Sequence, residues 1–149
     1  MSVQTSTGIV ISISASKPAT EDKAGYDALT FTAIGEVVSI GEYSATQEEV
    51  NHTPLSTGIV EKYKGATNNG SSTLEFGYDP SDVGQAVLDA GSNGANKFDV
   101  HSFKVTFSSG RVDYFSGLIF GYTKNPGAIN NIVSGTSTVG INTAIVDGT

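Results

Sequence analysis

The chain has 149 residues, no cysteine and a formal charge of −7, from 15 acidic against 8 basic side chains. That length predicts one domain, spanning 1–149, with a core that needs neither disulfides nor thiolate-held metal. The charge argues against a protein that grips nucleic acid, because few cations are present to displace counterions from phosphate.

No apolar run approaches the ~20 residues of a membrane span, so no membrane insertion is expected. The opening residues 1–7 are small and polar, lack the basic region of a signal peptide, and read as an N-terminal arm. Gly8 to Ser14 alternates, with Ile9, Ile11 and Ile13 on one side, and predicts a strand. Residues 15–27 have no periodicity and read as a loop. Residues 28–40 are rich in β-branched and aromatic side chains and predict a strand, with a bend or bulge at Gly35.

Residues 41–70 are mostly polar and read as a long irregular loop, a length uncommon inside a compact domain. Its apolar residues Val50, Leu55, Ile59, Val60 and Tyr63 argue against full disorder. The loop either orders against a neighbouring subunit or folds back on its own domain.

Ser72 to Tyr78 alternates and predicts a strand. Asp79 to Gly91 predicts a helix, with Asp79 as cap, Pro80 in the first turn and Asp82 near the positive end. Val83, Ala86, Val87 and Ala90 follow helical spacing and are the predicted buried stripe. Gly84 is expected to permit close packing on a sheet, and Gly91 to close the helix in a left-handed cap. The apolar parity changes between Val100 and Phe103, which predicts a β-bulge near His101 and Ser102. Phe103, Val105 and Phe107 then alternate into a Ser108-Ser109-Gly110 turn, and the chain returns through Arg111 to Phe120 as the second strand of a central hairpin. A Thr/Ser-rich strand over 131–139 follows a turn-rich connection, and the tail ends the chain.

Little here points to catalysis. Asp99 and His101 would share a strand face, which allows a hydrogen bond but is a weak signature. The acidic residues near the helix start read as caps and not as metal ligands. Asn69-Gly-Ser71 formally matches a glycosylation acceptor, without a secretion signal to use it. No nucleophile elbow, phosphate loop or paired-histidine zinc motif is present. Neither an enzyme nor a cofactor site is expected.

Five stretches in order resemble the major tail tube proteins of long-tailed, siphovirus-like bacteriophages. They are Ala28-Leu-Thr-Phe-Thr-Ala-Ile-Gly-Glu-Val-Val-Ser-Ile-Gly-Glu42, Glu61-Lys-Tyr-Lys-Gly65, Tyr78-Asp-Pro-Ser-Asp-Val-Gly-Gln85 with Leu88, Gly110-Arg-Val-Asp-Tyr-Phe-Ser-Gly117, and Asn130-Asn-Ile132. The resemblance implies a mainly β fold, a β-sandwich or barrel of two packed sheets with one flanking α-helix, a long assembly loop at 41–70 and a C-terminal tail at 142–149. It implies a virion protein, assembled in the host bacterial cytoplasm, that forms stacked hexameric rings. The hollow tube so formed would conduct double-stranded DNA during genome delivery.

The implied partners are further copies of the chain, the tape measure protein, a tail terminator and tail-tip initiator proteins. Candidate subunit or inter-ring contacts are Tyr43, Val50, Pro54, Leu55, Val60, Tyr63 and Lys64. Candidate lumen-facing acids are Glu36, Glu75 and Asp113. The competing readings are a β-sandwich binding or decoration module for a glycan or receptor, and a type VI-like secreted tube protein. The absence of tryptophan and of an aromatic platform weighs against the binding module.

Overall fold

The computed structural model describes residues 3–148; of the N-terminal arm, residues 1 and 2 lie outside them. Ten strands and two helices follow one another: β1 (Val10–Ser14), α1 (Lys23–Asp27), β2 (Thr32–Ala33), β3 (Val37–Ile40), β4 (Thr46–His52), β5 (Glu61–Asn68), β6 (Ser71–Gly77), α2 (Val83–Asn93), β7 (His101–Thr106), β8 (Val112–Asn125), β9 (Ser134–Ile141) and β10 (Val146–Asp147). One eight-stranded sheet runs β2-β1-β7-β8-β9-β6-β3, with β10 on β8, and β4-β5 form a separate two-stranded sheet. The mainly β fold of two sheets is the expected class.

The large sheet must curl. Its two edge strands are joined by residues 34–36 alone, so Ala33 and Val37 are at most about 14 Å apart. Seven strands laid flat would separate them by about 29 Å. Rolling the sheet into an incomplete barrel brings the edges together and closes the core around Ile11, Ile13, Leu74, Phe76, Phe103, Phe115, Val139 and Ile141. The central hairpin forms as expected: β7 and β8 pair from His101 opposite Gly117 to Thr106 opposite Val112, and Gly110 takes φ +95 in the turn. Phe103 and Phe115 stack at 5.4 Å within it.

The first turn of α2 sits at the seam beside β2, while the rest of the helix packs across β1 and β8. Gly84 lies so close to β2 that an added Cβ would come within 2.4 Å of the Ala33 carbonyl oxygen and 2.7 Å of the Ile34 Cα. The buried Gln85 donates through its amide to the Gly35 and Gly77 carbonyls at 3.0 and 2.9 Å and accepts from the Asp79 N–H at 3.0 Å. One side chain thus satisfies backbone groups from both sides of the gap, which an apolar residue would leave unpaired.

Several expectations need correction. The helix starts at Val83 with Asp82 as its cap, accepting from the Gln85 N–H, while Asp79 instead closes a short turn onto Ser81. It continues past Gly91 to Asn93, and its C-cap Gly94 has φ −91, so no left-handed cap forms. The buried face is Gly84, Gln85, Leu88 and Gly91; Val83 and Ala86 are exposed. Residues 15–27 contain α1, capped by Asp22, whose carboxylate accepts from the Gly25 N–H at 2.8 Å.

No bulge occurs at His101 and Ser102, because β7 begins at His101 and pairs without a register shift; Phe98 is in the preceding loop, largely exposed. The shifts lie between Val37 and Ser39, Gln47 and Glu49, and Ile119 and Gly121. The single strand expected over 28–40 is two strands on opposite edges, broken at Gly35 and Glu36, and the C-terminal tail adds β10 to the edge of β8.

Candidate assembly surfaces

The segment 41–70 is not irregular. It is a β-hairpin arm, with β4 and β5 paired from Thr46 opposite Asn68 to His52 opposite Glu61. Every residue of β4, and all of β5 except Gly65, is exposed. A strand with neither face buried needs no apolar alternation, so its sequence reads as loop.

Cross-strand partners share a face: Val50 pairs with Tyr63 beside His52 and Glu61, whose carboxylate accepts from the Tyr63 hydroxyl at 2.8 Å, while the other face carries Glu49 with Lys64 and Asn51 with Lys62. The arm's connection carries Leu55, Ile59 and Val60, all exposed, and turns at Gly58, where φ is +65. Pro54 is half-buried, its carbonyl accepting from the Gly58 N–H. Contiguous exposed apolar groups of this kind mark contact surfaces.

Tyr43 sits apart from the other candidate contacts. Its ring packs on Phe115 at 5.3 Å and its hydroxyl donates to Asp113 at 2.8 Å, so it roots the arm in the core. Burial and that bond push its hydroxyl pKa well up. Asp113 does not face solvent as a candidate lumen acid should. It is buried beneath Tyr43 and paired with Arg111, which also reaches Asp147 of β10 at 3.4 Å. A buried carboxylate persists only with such partners. Arg111 therefore ties the C-terminal strand to the carboxylate that holds the arm's root, a link sequence reading missed because Tyr43, Asp113 and Asp147 are far apart in the chain.

Glu36 and Glu75 are exposed. Glu75 lies on a polar sheet surface built by β3, β6 and β9, where the outward residues include Ser39, Thr73, Thr136 and Thr138. It is the single carboxylate in those three strands. Glu36 sits at the seam with φ +60, in the left-handed region.

A second polar layer covers the opposite face of the hairpin. Tyr26 of α1 stacks on Tyr114 at 5.1 Å, its hydroxyl meets the Ser116 hydroxyl at 2.9 Å, and the Tyr114 hydroxyl donates to Asp27 at 2.7 Å. Burial first, and the Asp27 bond second, raise the Tyr114 pKa to about 12. His101 is fully buried, and its Nδ1 bonds the main-chain carbonyl of Asp99, not its carboxylate. The pairing considered from sequence is thus a main-chain contact in the interior, out of reach of a substrate. Among the described residues, no three His, Asp or Glu side chains gather in a way that could hold a metal ion.

No protein-family model matches the chain, and no curated protein sequence matches it. Solved structures do. A chain in the tail of an empty gene transfer agent particle, refined helically with C6 symmetry, aligns with a TM-score of 0.66 and 17% identity, over 96% of this chain and 97% of that one. A chain in the sheath/tube terminator structure of the extracellular contractile injection system PVC aligns with a TM-score of 0.66 and 12% identity, over 99% and 97%. A chain in the baseplate of the anti-feeding prophage aligns with a TM-score of 0.64 and 10% identity, over 96% and 94%. The chain thus shares its fold, over nearly its whole length, with chains in these particles.

Proposed function

We propose that this chain is a structural subunit of a tail tube, self-associating into hexameric rings that stack around a channel for double-stranded DNA. The observation that carries the reading is the arm: a fully exposed hairpin with an apolar tip, projecting from a barrel of the tail-component fold. An isolated subunit has no use for such an arm, whereas a copy in an assembly can cover it. The free edge of β3 offers unpaired backbone groups to a neighbour in the ring. A tape measure protein, a tail terminator and tip initiators would then bound the tube's length and ends, and the product would work in the virion tail.

The lumen surface in this reading is the Ser/Thr face of β3, β6 and β9 with Glu75 at its centre. Small hydroxyls and a sparse negative charge would let phosphate slide without counterion-releasing contacts. Because similar folds occur in contractile particles as well, the same subunit could be enclosed by a sheath; a sheath would contact the outer wall and leave the lumen assignment unchanged.

Electron microscopy of the purified protein at high concentration tests the proposal. Rings or tubes are expected, and a strictly monomeric species, even with tail partners present, would count against it. Excising the whole hairpin, residues 45–69, is a second arm of the test. Gly70 already lies beside the Ser44 carbonyl, so a short glycine link can close the gap. The variant should melt cooperatively, at a temperature close to that of the wild-type monomer, but fail to stack; tubes of normal length would show that the arm is dispensable.

A further inference from the structure

Three dipeptides in the chain are chemically suited to spontaneous modification. Asn-Gly occurs twice, as Asn69-Gly70 and Asn93-Gly94, and Asp-Gly once, as Asp147-Gly148. In such a pair the glycine nitrogen can attack the carbonyl carbon of the preceding side chain, because no Cβ on the glycine obstructs the approach. The nitrogen must first turn away from its own hydrogen-bond partner and give up its proton.

The fold treats the three pairs differently. Asn93 ends α2, and the Gly94 N–H donates to the Ala90 carbonyl at 3.0 Å. The Gly148 N–H donates to the Val112 carbonyl at 2.8 Å, and Arg111 holds the Asp147 carboxylate. A main-chain carbonyl of a packed element fixes each of these nitrogens, and freeing one means opening the end of that element. Gly70 lies between β5 and β6 with φ +80, and its N–H donates to a side chain, the Asn68 Oδ1 at 2.8 Å. Asn68 is exposed, so rotation of its side chain frees Gly70 without opening either strand. The side-chain amide of Asn69 makes no hydrogen bond among the described residues.

We propose that Asn69 is a self-modification site, its side-chain amide converted to a carboxylate through Gly70, and that Asn68 restrains the reaction. An N–H held by a carbonyl oxygen is aimed away from Asn69 and is harder to deprotonate. Once it is released, the Gly70 nitrogen bonds to the Asn69 Cγ, the Cγ–Nδ2 bond breaks, and the amide nitrogen leaves as ammonia with the Gly70 proton. Water then opens the cyclic succinimide. Opening at Cγ gives aspartate; opening at the main-chain carbonyl gives isoaspartate, in which the chain runs through the side-chain carbon. Either product adds a negative charge. Isoaspartate also lengthens the backbone just before Gly70, which adjoins the Ser44 carbonyl at the arm's base and whose own carbonyl accepts from the Ile141 N–H at 2.9 Å. The reaction belongs to the single chain and proceeds whether or not tubes form.

Incubating the full chain in mildly alkaline water enriched in heavy oxygen tests this, with digestion in ordinary water and mass spectrometry as the readout. Label should appear first in the peptide containing Asn69, in aspartate and isoaspartate forms, and only later in the peptide containing Asn93. In urea, where the fold no longer separates them, the two Asn-Gly pairs should take up label at similar rates. Asn68→Ala should speed labelling at Asn69 roughly two- to tenfold, the factor given by one hydrogen bond of ordinary net strength, with the melting temperature unchanged. Asn69→Gln, whose longer side chain closes the ring far more slowly, should leave that peptide unlabelled. An unchanged rate in Asn68→Ala, labelling of Asn93 first, a preference for Asn69 that persists in urea, or label at Asn69 without isoaspartate would each overturn the proposal.

Discussion

At the scale of single residues, the seam concentrates the conformational cost. Glu36 holds φ +60 between two strands that belong to opposite edges of the sheet. A residue with a Cβ occupies that region at a cost of about 1–2 kcal/mol, which glycine avoids. The Glu36 side chain is exposed, so little packing is lost on removing it. Glu36→Gly is therefore expected to raise stability by about 0.5–1 kcal/mol, after the larger unfolded-state entropy of glycine is allowed for. Urea unfolding measures this, and a destabilised variant would show that the Glu36 side chain has a stabilising role of its own.

At the scale of elements, close approach outweighs propensity. Alanine is the better helix former by about 1 kcal/mol, yet at Gly84 its Cβ would meet backbone atoms of Ala33 and Ile34 that cannot rotate away. Overpacking of this kind costs about 1–3 kcal/mol or more. Gly84→Ala should thus lower stability by about 1–2 kcal/mol in calorimetry or urea unfolding, the opposite sign to the propensity.

Two tyrosines make a prediction in pH, Tyr114 under α1 and Tyr122 between Phe76 and the Gln85 of α2. The Tyr114 and Tyr122 hydroxyls are each raised from 10.0 to about 12, first by burial. A raised folded-state pKa contributes stability that is complete below the unfolded value and disappears as pH climbs through the folded one. Stability should therefore fall between pH 10 and 12, and a Tyr114→Phe, Tyr122→Phe double variant should lose less over that window. Equal losses would assign the alkaline transition to other groups.

These elements also show what was readable in advance. β6 buries one face in strict alternation, and in β7 the apolar side chains Phe103 and Val105 keep the same period although the opposite face is largely covered too, so both strands are legible. The arm buries neither face and left no period to read. In α2 the apolar stripe misleads, because Gly84 and Gln85, chosen for approach and hydrogen bonding, occupy the buried side while Val83 and Ala86 face out. Five-residue α1 is too short to show a helical period, and its cap alone announces it.

At the scale of the whole molecule, a tube subunit must be adhesive to its own copies and slippery to DNA. In the tube proposed above, the adhesive surfaces would be the arm and the β3 edge, and the slippery one the hydroxyl face around Glu75. The outward neighbours Ser39, Thr73, Thr136 and Thr138 are uncharged, so substitution of Glu75 changes the field of this face more than any hydroxyl would. In a hexameric ring, Glu75→Lys turns six negative charges into six positive ones. Each lysine that meets a phosphate adds about one unit to the slope of log affinity against log salt. Variant tubes should therefore retain short duplex DNA at 50 mM salt and release it as salt rises, while wild-type tubes retain little at either. Nuclease protection locates the bound DNA: duplex held in the channel survives digestion, and duplex on the outer wall does not. Retention without protection would place Glu75 on the outside, and the hydroxyl face of β3, β6 and β9 with it.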